Sequence, residues 1–241
     1  MNAIYKNGLI KSKNSAKEGS LPTSVSIPNG SPATINPEIK MSKYLYIIDN
    51  GHGGLIEGEH QTAGKRSPKD ADGNVVIYEG VNNRINANLL IEEMERVNIR
   101  CVKLVDTNYD ISLAKRVSDA NEIARKDKCI FISIHSNAAG NGLEWANARG
   151  ISVHIAPNCS AKTSDFSEVI AAELKENFKE MTRWRGIKVD NFYVLRKTNH
   201  PAILLEIGFH DNQIDAEKMQ SDEWRNALVK SIIDAITIFE S

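Results

Sequence analysis

No stretch of this chain is apolar for the roughly 20 residues that a membrane-spanning helix needs. Its first twenty residues, "MNAIYKNGLIKSKNSAKEGS", also lack the run of about 7 to 15 apolar residues that defines an export signal. The expectation is a chain made in the cytoplasm without a signal peptide and without membrane insertion. Any action outside that compartment then needs a separate delivery route. Paired cysteines are missing too. Cys101, Cys129 and Cys159 are odd in number and show no C-x-x-C spacing, which argues against a disulfide framework or a thiolate zinc site. Cys101 and Cys129 sit in strand-like runs and read as small core residues. Nor is there an excess of one charge, because 30 Lys and Arg stand against 31 Asp and Glu. That balance removes the electrostatic case for nucleic acid or an anionic membrane as the main partner. Lys126 and Lys128 read as a solvated face. No internal repeat is present.

What remains fits one α/β domain with a sizeable core. Residues 1–40 are rich in Ser, Asn, Lys, Gly and Pro without a sustained period, and are expected to form a polar extension outside that core. From residue 44 onward, strand-like and helix-like runs alternate. "YLYIID" precedes a helix near 80–97, "RCVKLV" a helix near 112–125, and "CIFISI" and "GISVHIAP" a helix near 163–180. Short strands are expected at "FYVLR" and "AILLEI", then a final helix near 222–239. Such alternation predicts a layered fold with a largely parallel sheet, filling residues 41–241.

Three of these strands deliver reactive side chains at their ends. "YLYIIDNGHGG" brings His52 into a loop with three glycines, "CIFISIHSNA" brings His135, and "AILLEI" contains Glu206. In open α/β sheets, ligands bind beyond the carboxyl ends of the strands, so the three are placed to share a cleft. Glu79 stands at a helix start, where a carboxylate also simply favours the helix dipole. A strand-end histidine is also common as a hydrogen-bonded structural residue. Glu206, between Leu205 and Ile207, is harder to explain without a partner, because an isolated buried carboxylate must find a cation, a metal or a proton. Two imidazoles and one carboxylate as zinc ligands, with a second carboxylate as base, make a coherent set.

The ordered segments "IIDNGHGG", "YEGVNN", "SLAKRVSDANEIA", "IFISIHSNAA" and "PAILLEIGFHDN" resemble the zinc-dependent N-acetylmuramoyl-L-alanine amidases of the type called amidase 3. The resemblance spans residues 43–239. It implies Zn2+ held by His52, Glu79 and His135, Glu206 as the catalytic carboxylate, and a mixed six-stranded sheet flanked by helices. It also implies hydrolysis of the amide between N-acetylmuramic acid and L-alanine, with peptidoglycan as substrate. A zinc peptidase cutting another bond of the polymer, or a non-catalytic wall-binding phage component, is the competing reading. Where the family commonly carries a Thr-Arg pair after the strand ending near residue 102, this chain has Val105 and Asp106.

Around that set, Asn137 is a candidate substrate contact or the residue that closes a turn. Asp49 and Asn50 are candidates to orient His52, Asp49 equally a strand-terminal cap. The glycines at 51, 53 and 54 are expected to keep the loop thin. His60 is expected on the surface, while His154, His200 and His210 are expected to be structural or rim residues. Residues 138–149 contain Gly140 and Gly142 and are too short for a helix that covers the site, so an open cleft is expected. Trp145 is read as a rim residue or a glycan contact. With no wall-binding repeat after the catalytic region, the chain is expected to be phage or prophage endolysin-like, or cargo of an injection machine attached through residues 1–40.

Overall fold

In the computed structural model the described residues are 41–241; the expected extension at 1–40 lies outside them. The elements are β1 (Leu45–Asn50), β2 (Leu55–Ile56), β3 (Glu59–His60), α1 (Glu79–Arg96), β4 (Cys101–Lys103), α2 (Leu113–Ala124) and β5 (Cys129–Asn137). They continue with β6 (Ile151–Ile155), α3 (Ala161–Asn177), β7 (Trp184–Val189), α4 (Tyr193–Lys197), β8 (Ala202–Phe209), α5 (Gln213–Lys218) and α6 (Asp222–Glu240). Six strands form one sheet in the order β4-β1-β5-β8-β6-β7, and β2 and β3 make a separate hairpin. Every pairing in the large sheet is parallel except β6 against β8. The sheet is therefore mixed and largely parallel, as expected.

Side chains alternate across the strands, and this alternation sorts the core into two layers. Tyr46, Ile48, Ile130, Ile132, Ile134, Ile203, Leu205 and Ile207 share one buried cluster with residues of α1, α3 and α6. Those helices present apolar residues at helical spacing: Phe166, Ile170 and Leu174 on α3, and Trp224, Leu228, Ile232 and Ile236 on α6. The opposite parity, Ile47, Phe131 and Leu204, packs on Val117 and Ala120 of α2 and Val194 and Leu195 of α4. At about 1.5–3 kcal/mol for each fully buried large apolar side chain, the α1/α3/α6 layer supplies most of the apolar stabilisation. The α2/α4 layer is thin. Its two helices leave the carboxyl ends of β1, β5 and β8 uncovered, and Asp49, Ser133, His135 and Glu206 share the parity that faces this side.

Helix ends follow local chemistry. Ser112, Ser160 and Ser221 cap α2, α3 and α6 by accepting the backbone N–H three residues on, each such cap contributing about 1 kcal/mol. One expected strand is corrected. "FYVLR" is the short helix α4, with Val194 and Leu195 buried against α2, and Thr198 Oγ1–H donating to the Val194 carbonyl to close its last turn. Its β-branched and aromatic residues mimic a strand, and packing decides otherwise. The strand in this region is β7, "WRGIKV", at the sheet edge with Gly186 at φ +89. Its polar residues carry no period-two signal.

Candidate metal centre and its cleft

His52 stands immediately after β1 with φ +63, in the left-handed region that costs an L-residue about 1–2 kcal/mol. Two guanidiniums hold this bend. Arg84 Nη1 and Arg116 Nη2 both donate to the His52 carbonyl, at 2.8 and 3.2 Å. Arg116 also donates to Asp49 Oδ1 at 2.5 Å and to the Asn50 carbonyl at 2.8 Å, while Ser133 Oγ–H donates to Asp49 Oδ2 at 2.6 Å. Asp49 thus acts on the backbone of His52 through Arg116. The flanking glycines are required by close approach. A Cβ on Gly51 would lie 2.1 Å from His135 Cε1. One on Gly80, in the first turn of α1, would lie 1.9 Å from the Gly53 carbonyl oxygen. Only bare backbone lets the loop, the second imidazole and the helix start converge.

They converge on Glu79. Its Oε1 lies 3.3 Å from His52 Nε2 and 3.0 Å from His135 Nδ1, and it accepts the Ser136 N–H at 3.2 Å. The two imidazole rings meet edge to face with centroids 4.9 Å apart. One ligand atom from each of His52, Glu79 and His135 falls within 4.8 Å of the others, which makes this trio a candidate metal-holding group. Burial alone pushes the Glu79 carboxyl up, but its hydrogen bonds to His135 and His52 outweigh it and hold the group well below the usual carboxylate range. Burial pulls His135 down, and Glu79 more than compensates. Glu79 Oε2 is buried without a hydrogen-bond partner among the described residues, although Lys65 Nζ stands 3.9 Å away. A buried carboxylate with an orphan oxygen, between two imidazoles, is a donor set that fits a divalent transition metal.

Glu206 sits beside this group, paired across β5 and β8 with His135. It is 8% exposed, its Oε2 lacks a partner, and burial pushes its carboxyl up to about 8. Asn137 lines the same cavity at the end of β5, its Oδ1 accepting the Ala138 N–H at 2.8 Å. The cleft has two lobes of about 380 and 340 Å³ that share His52, Leu113, His135 and Val194.

The remaining histidines stay out of the trio. His210 is buried behind Glu79, 3.7 Å from Oε2, with Nδ1–H donating to the Ser136 carbonyl at 3.0 Å. His154 is a buried link between Ser152 Oγ and Asp190 Oδ2, at 2.9 and 2.7 Å. His200 packs edge-on near Phe131, and half-buried His60 packs on Tyr78. Residues 138–149 form no helix. Asp211 Oδ2 accepts the N–H groups of Ala139 and Gly140, the Asp211 carbonyl accepts that of Ala146, and Trp145 packs on the core. Sequence reasoning missed Arg84, Arg116 and Lys65. A signal existed for Arg84: "NNRINAN" gives α1 an N-terminal half of buried polar residues that the core does not explain.

Residues 47–238 match the family described as N-acetylmuramoyl-L-alanine amidase. An uncharacterized cell wall amidase of Bacillus anthracis is 32% identical over 79% of this chain and 34% of its own length. The N-acetylmuramoyl-L-alanine amidase CwlM of Bacillus licheniformis is 30% identical over 77% of this chain and 63% of its own. The chain thus spans about one third and under two thirds of these two relatives. Among solved structures, an N-acetylmuramoyl-L-alanine amidase from Clostridium difficile 630 superposes with a TM-score of 0.68 at 26% identity, covering 82% of this chain and 97% of that one.

Proposed function

The chain belongs to the amidase 3 family of N-acetylmuramoyl-L-alanine amidases, and from that premise we propose that it is a zinc-dependent peptidoglycan hydrolase. Its substrate is the amide joining N-acetylmuramic acid to the L-alanine of the stem peptide. The observation that carries this reading is the convergence of His52, Glu79 and His135 beside the buried Glu206, in a cleft at the carboxyl end of the sheet. Two imidazoles and a carboxylate would hold zinc, leaving further coordination open as a catalytic site requires. When bound, zinc supplies Lewis acidity toward the scissile carbonyl and acidifies water.

The chain's own groups do the rest. Glu206 takes a proton from the attacking water as its oxygen bonds to the carbonyl carbon. The carbon–nitrogen bond then breaks, and Glu206 returns the proton to the departing alanine nitrogen. Burial raises the Glu206 carboxyl above the usual carboxylate range, which makes its carboxylate a stronger base toward water. Arg84 and Arg116 keep the His52 imidazole aimed at Glu79. Asn137, at the rim, is the proposed substrate contact. Residues 138–149 lie as a pinned loop, which supports a cleft that needs no activator to uncover it. Among the described residues no helix is long and apolar enough to cross a membrane. Delivery to the wall is the proposed point of control.

The test is zinc stoichiometry combined with product masses from defined muropeptides. The expected result is one zinc per chain, lost in His52→Ala and in His135→Ala, and products cut between muramic acid and alanine. Full zinc occupancy in both variants would remove the assignment.

A further inference from the structure

Each lobe of the cleft is lined by one cation and two carboxylates, Arg116 with Asp49 and Asp110 in the first and Lys65 with Glu79 and Glu206 in the second, but the lobes differ in which charge is accessible. In the first, Arg116 lines the wall but is 2% exposed, and its donors are committed to Ile111, Asp49, Asn50 and His52. The accessible polar groups there include Thr62, Ser112 and the carboxylate of Asp110, whose side chain is 38% exposed and stands 3.9 Å from Arg116 Nη2, with Thr62 Oγ1–H donating to Asp110 Oδ2 at 2.7 Å. In the second lobe, Lys65 is the only lysine or arginine among the described lining residues.

Lys65 is set firmly at the rim although its side chain is 43% exposed. Its carbonyl accepts the Glu79 N–H at 2.9 Å, and its own N–H donates to the Thr62 carbonyl at 3.3 Å. The ammonium makes no hydrogen bond among the described residues, and its closest anionic contact is Glu79 Oε2 at 3.9 Å. A metal ion held by His52, Glu79 and His135 would offset the Glu79 carboxylate and leave the Lys65 ammonium free for another anion. Phe192 and Tyr193 form the apolar wall beside it.

We propose that the lobe bearing Lys65 takes the peptide side of the scissile bond, and that Lys65 binds a free carboxylate of the stem peptide. This assignment rests on the amidase reading above. A cation at the rim attracts an anionic peptide, whereas Asp110 in the other lobe repels it, so charge sets the direction in which the substrate lies. The neutral, hydroxyl-rich sugar then occupies the lobe of Thr62 and Asp110, where a carboxylate and a hydroxyl suit its hydroxyl groups. Lys65 is accordingly a specificity-determining residue for stem peptides whose second residue keeps its carboxylate rather than carrying a carboxamide.

The experiment uses the full zinc-loaded chain and two probes, N-acetylmuramoyl-L-alanyl-D-glutamic acid with its side-chain carboxyl capped as the methylamide, and the same compound with its α-carboxylate as a carboxamide, so that the pair differs in one carboxylate. Lys65→Met is expected to raise KM about tenfold on the carboxylate probe, the loss of one charge-assisted hydrogen bond. On the carboxamide KM should stay unchanged, and Lys65→Arg should restore the preference. An equal loss on both probes, no loss on either, or loss of zinc from Lys65→Met overturns the proposal. Product masses separate this from the reading beneath it. Cleavage elsewhere than between muramic acid and alanine overturns the amidase reading, and the assignment with it, whatever the KM values.

Discussion

His52 and His135 present imidazoles to the same oxygen of Glu79, yet they reach it by opposite means. His135 lies within β5, hydrogen-bonded in register with β8, and its position follows from strand pairing. His52 lies two residues past the end of β1 at Asn50, with φ +63, and two guanidiniums grip its carbonyl. One imidazole is supported by the sheet, the other by a buried polar clamp. Sheet support is distributed over many bonds and tolerates single changes, whereas a clamp of two side chains fails when either is removed.

The largest effect expected lies beside the sheet-supported imidazole. Glu206→Gln keeps the shape and the register with His135, and should lose about 100-fold to 10,000-fold in turnover while retaining zinc. Turnover within threefold of the parent would take Glu206 out of the chemistry. Next comes Arg116→Met. It strands the buried Asp49, 1% exposed, and a broken buried ion pair costs about 3–5 kcal/mol, readable as a lower midpoint in chemical denaturation. A change below 1 kcal/mol would show that Arg116 is dispensable to the clamp.

Arg84→Met sharpens the contrast, because Arg84 donates only to backbone carbonyls, those of His52, Gly80 and Thr107. Zinc affinity, measured by competition with a chelator, should fall about 10-fold to 100-fold, the range seen when groups orienting a metal ligand are removed. An unchanged affinity would leave His52 held by its loop alone.

The smallest effect concerns a third histidine, away from the trio. Among the described residues neither ring nitrogen of His200 has a hydrogen-bond partner, and burial pushes its pKa down to about 4. In the unfolded chain it titrates near 6.5, so between about pH 6.5 and 4 the unfolded state binds more protons. Its neutral burial therefore costs nothing above that window, and stability falls as pH drops through it. Replacing it by leucine should reduce the loss in melting temperature between pH 7 and 4.5, by comparison of thermal scans. Equal losses in parent and variant would place the acid sensitivity elsewhere.

Much of the fold was legible from the chain because apolar residues recur at the period of each element. β1, β5 and β8 read as strands, and α1, α2, α3 and α6 lie within two or three residues of their expected bounds. Failures gathered where local pattern and packing disagree. Residues of α4 have strand-like composition but a helical environment against α2, and β7 is an edge strand with polar residues. The hairpin β2/β3 and the short α5 carry too few residues for any period to show. His52, Glu79 and His135 lie close enough together to be a candidate metal-holding group, since strand ends in such a sheet share one edge.

By itself the sequence determined the types of the longer elements, the parity that aims His135 and Glu206 toward the α2/α4 side, and the supply of donor side chains. Short-range physics suffices for these, because periodicity and residue chemistry are written along the chain. Only the tertiary structure decided that Arg84 and Arg116 meet on one carbonyl, that Gly51 and Gly80 mark backbone approaches no side chain fits, and that Lys65 stands over Glu79. Each depends on segments 14 to 84 residues apart being brought together. No local pattern encodes that distance, since loop closure and long-range packing set it.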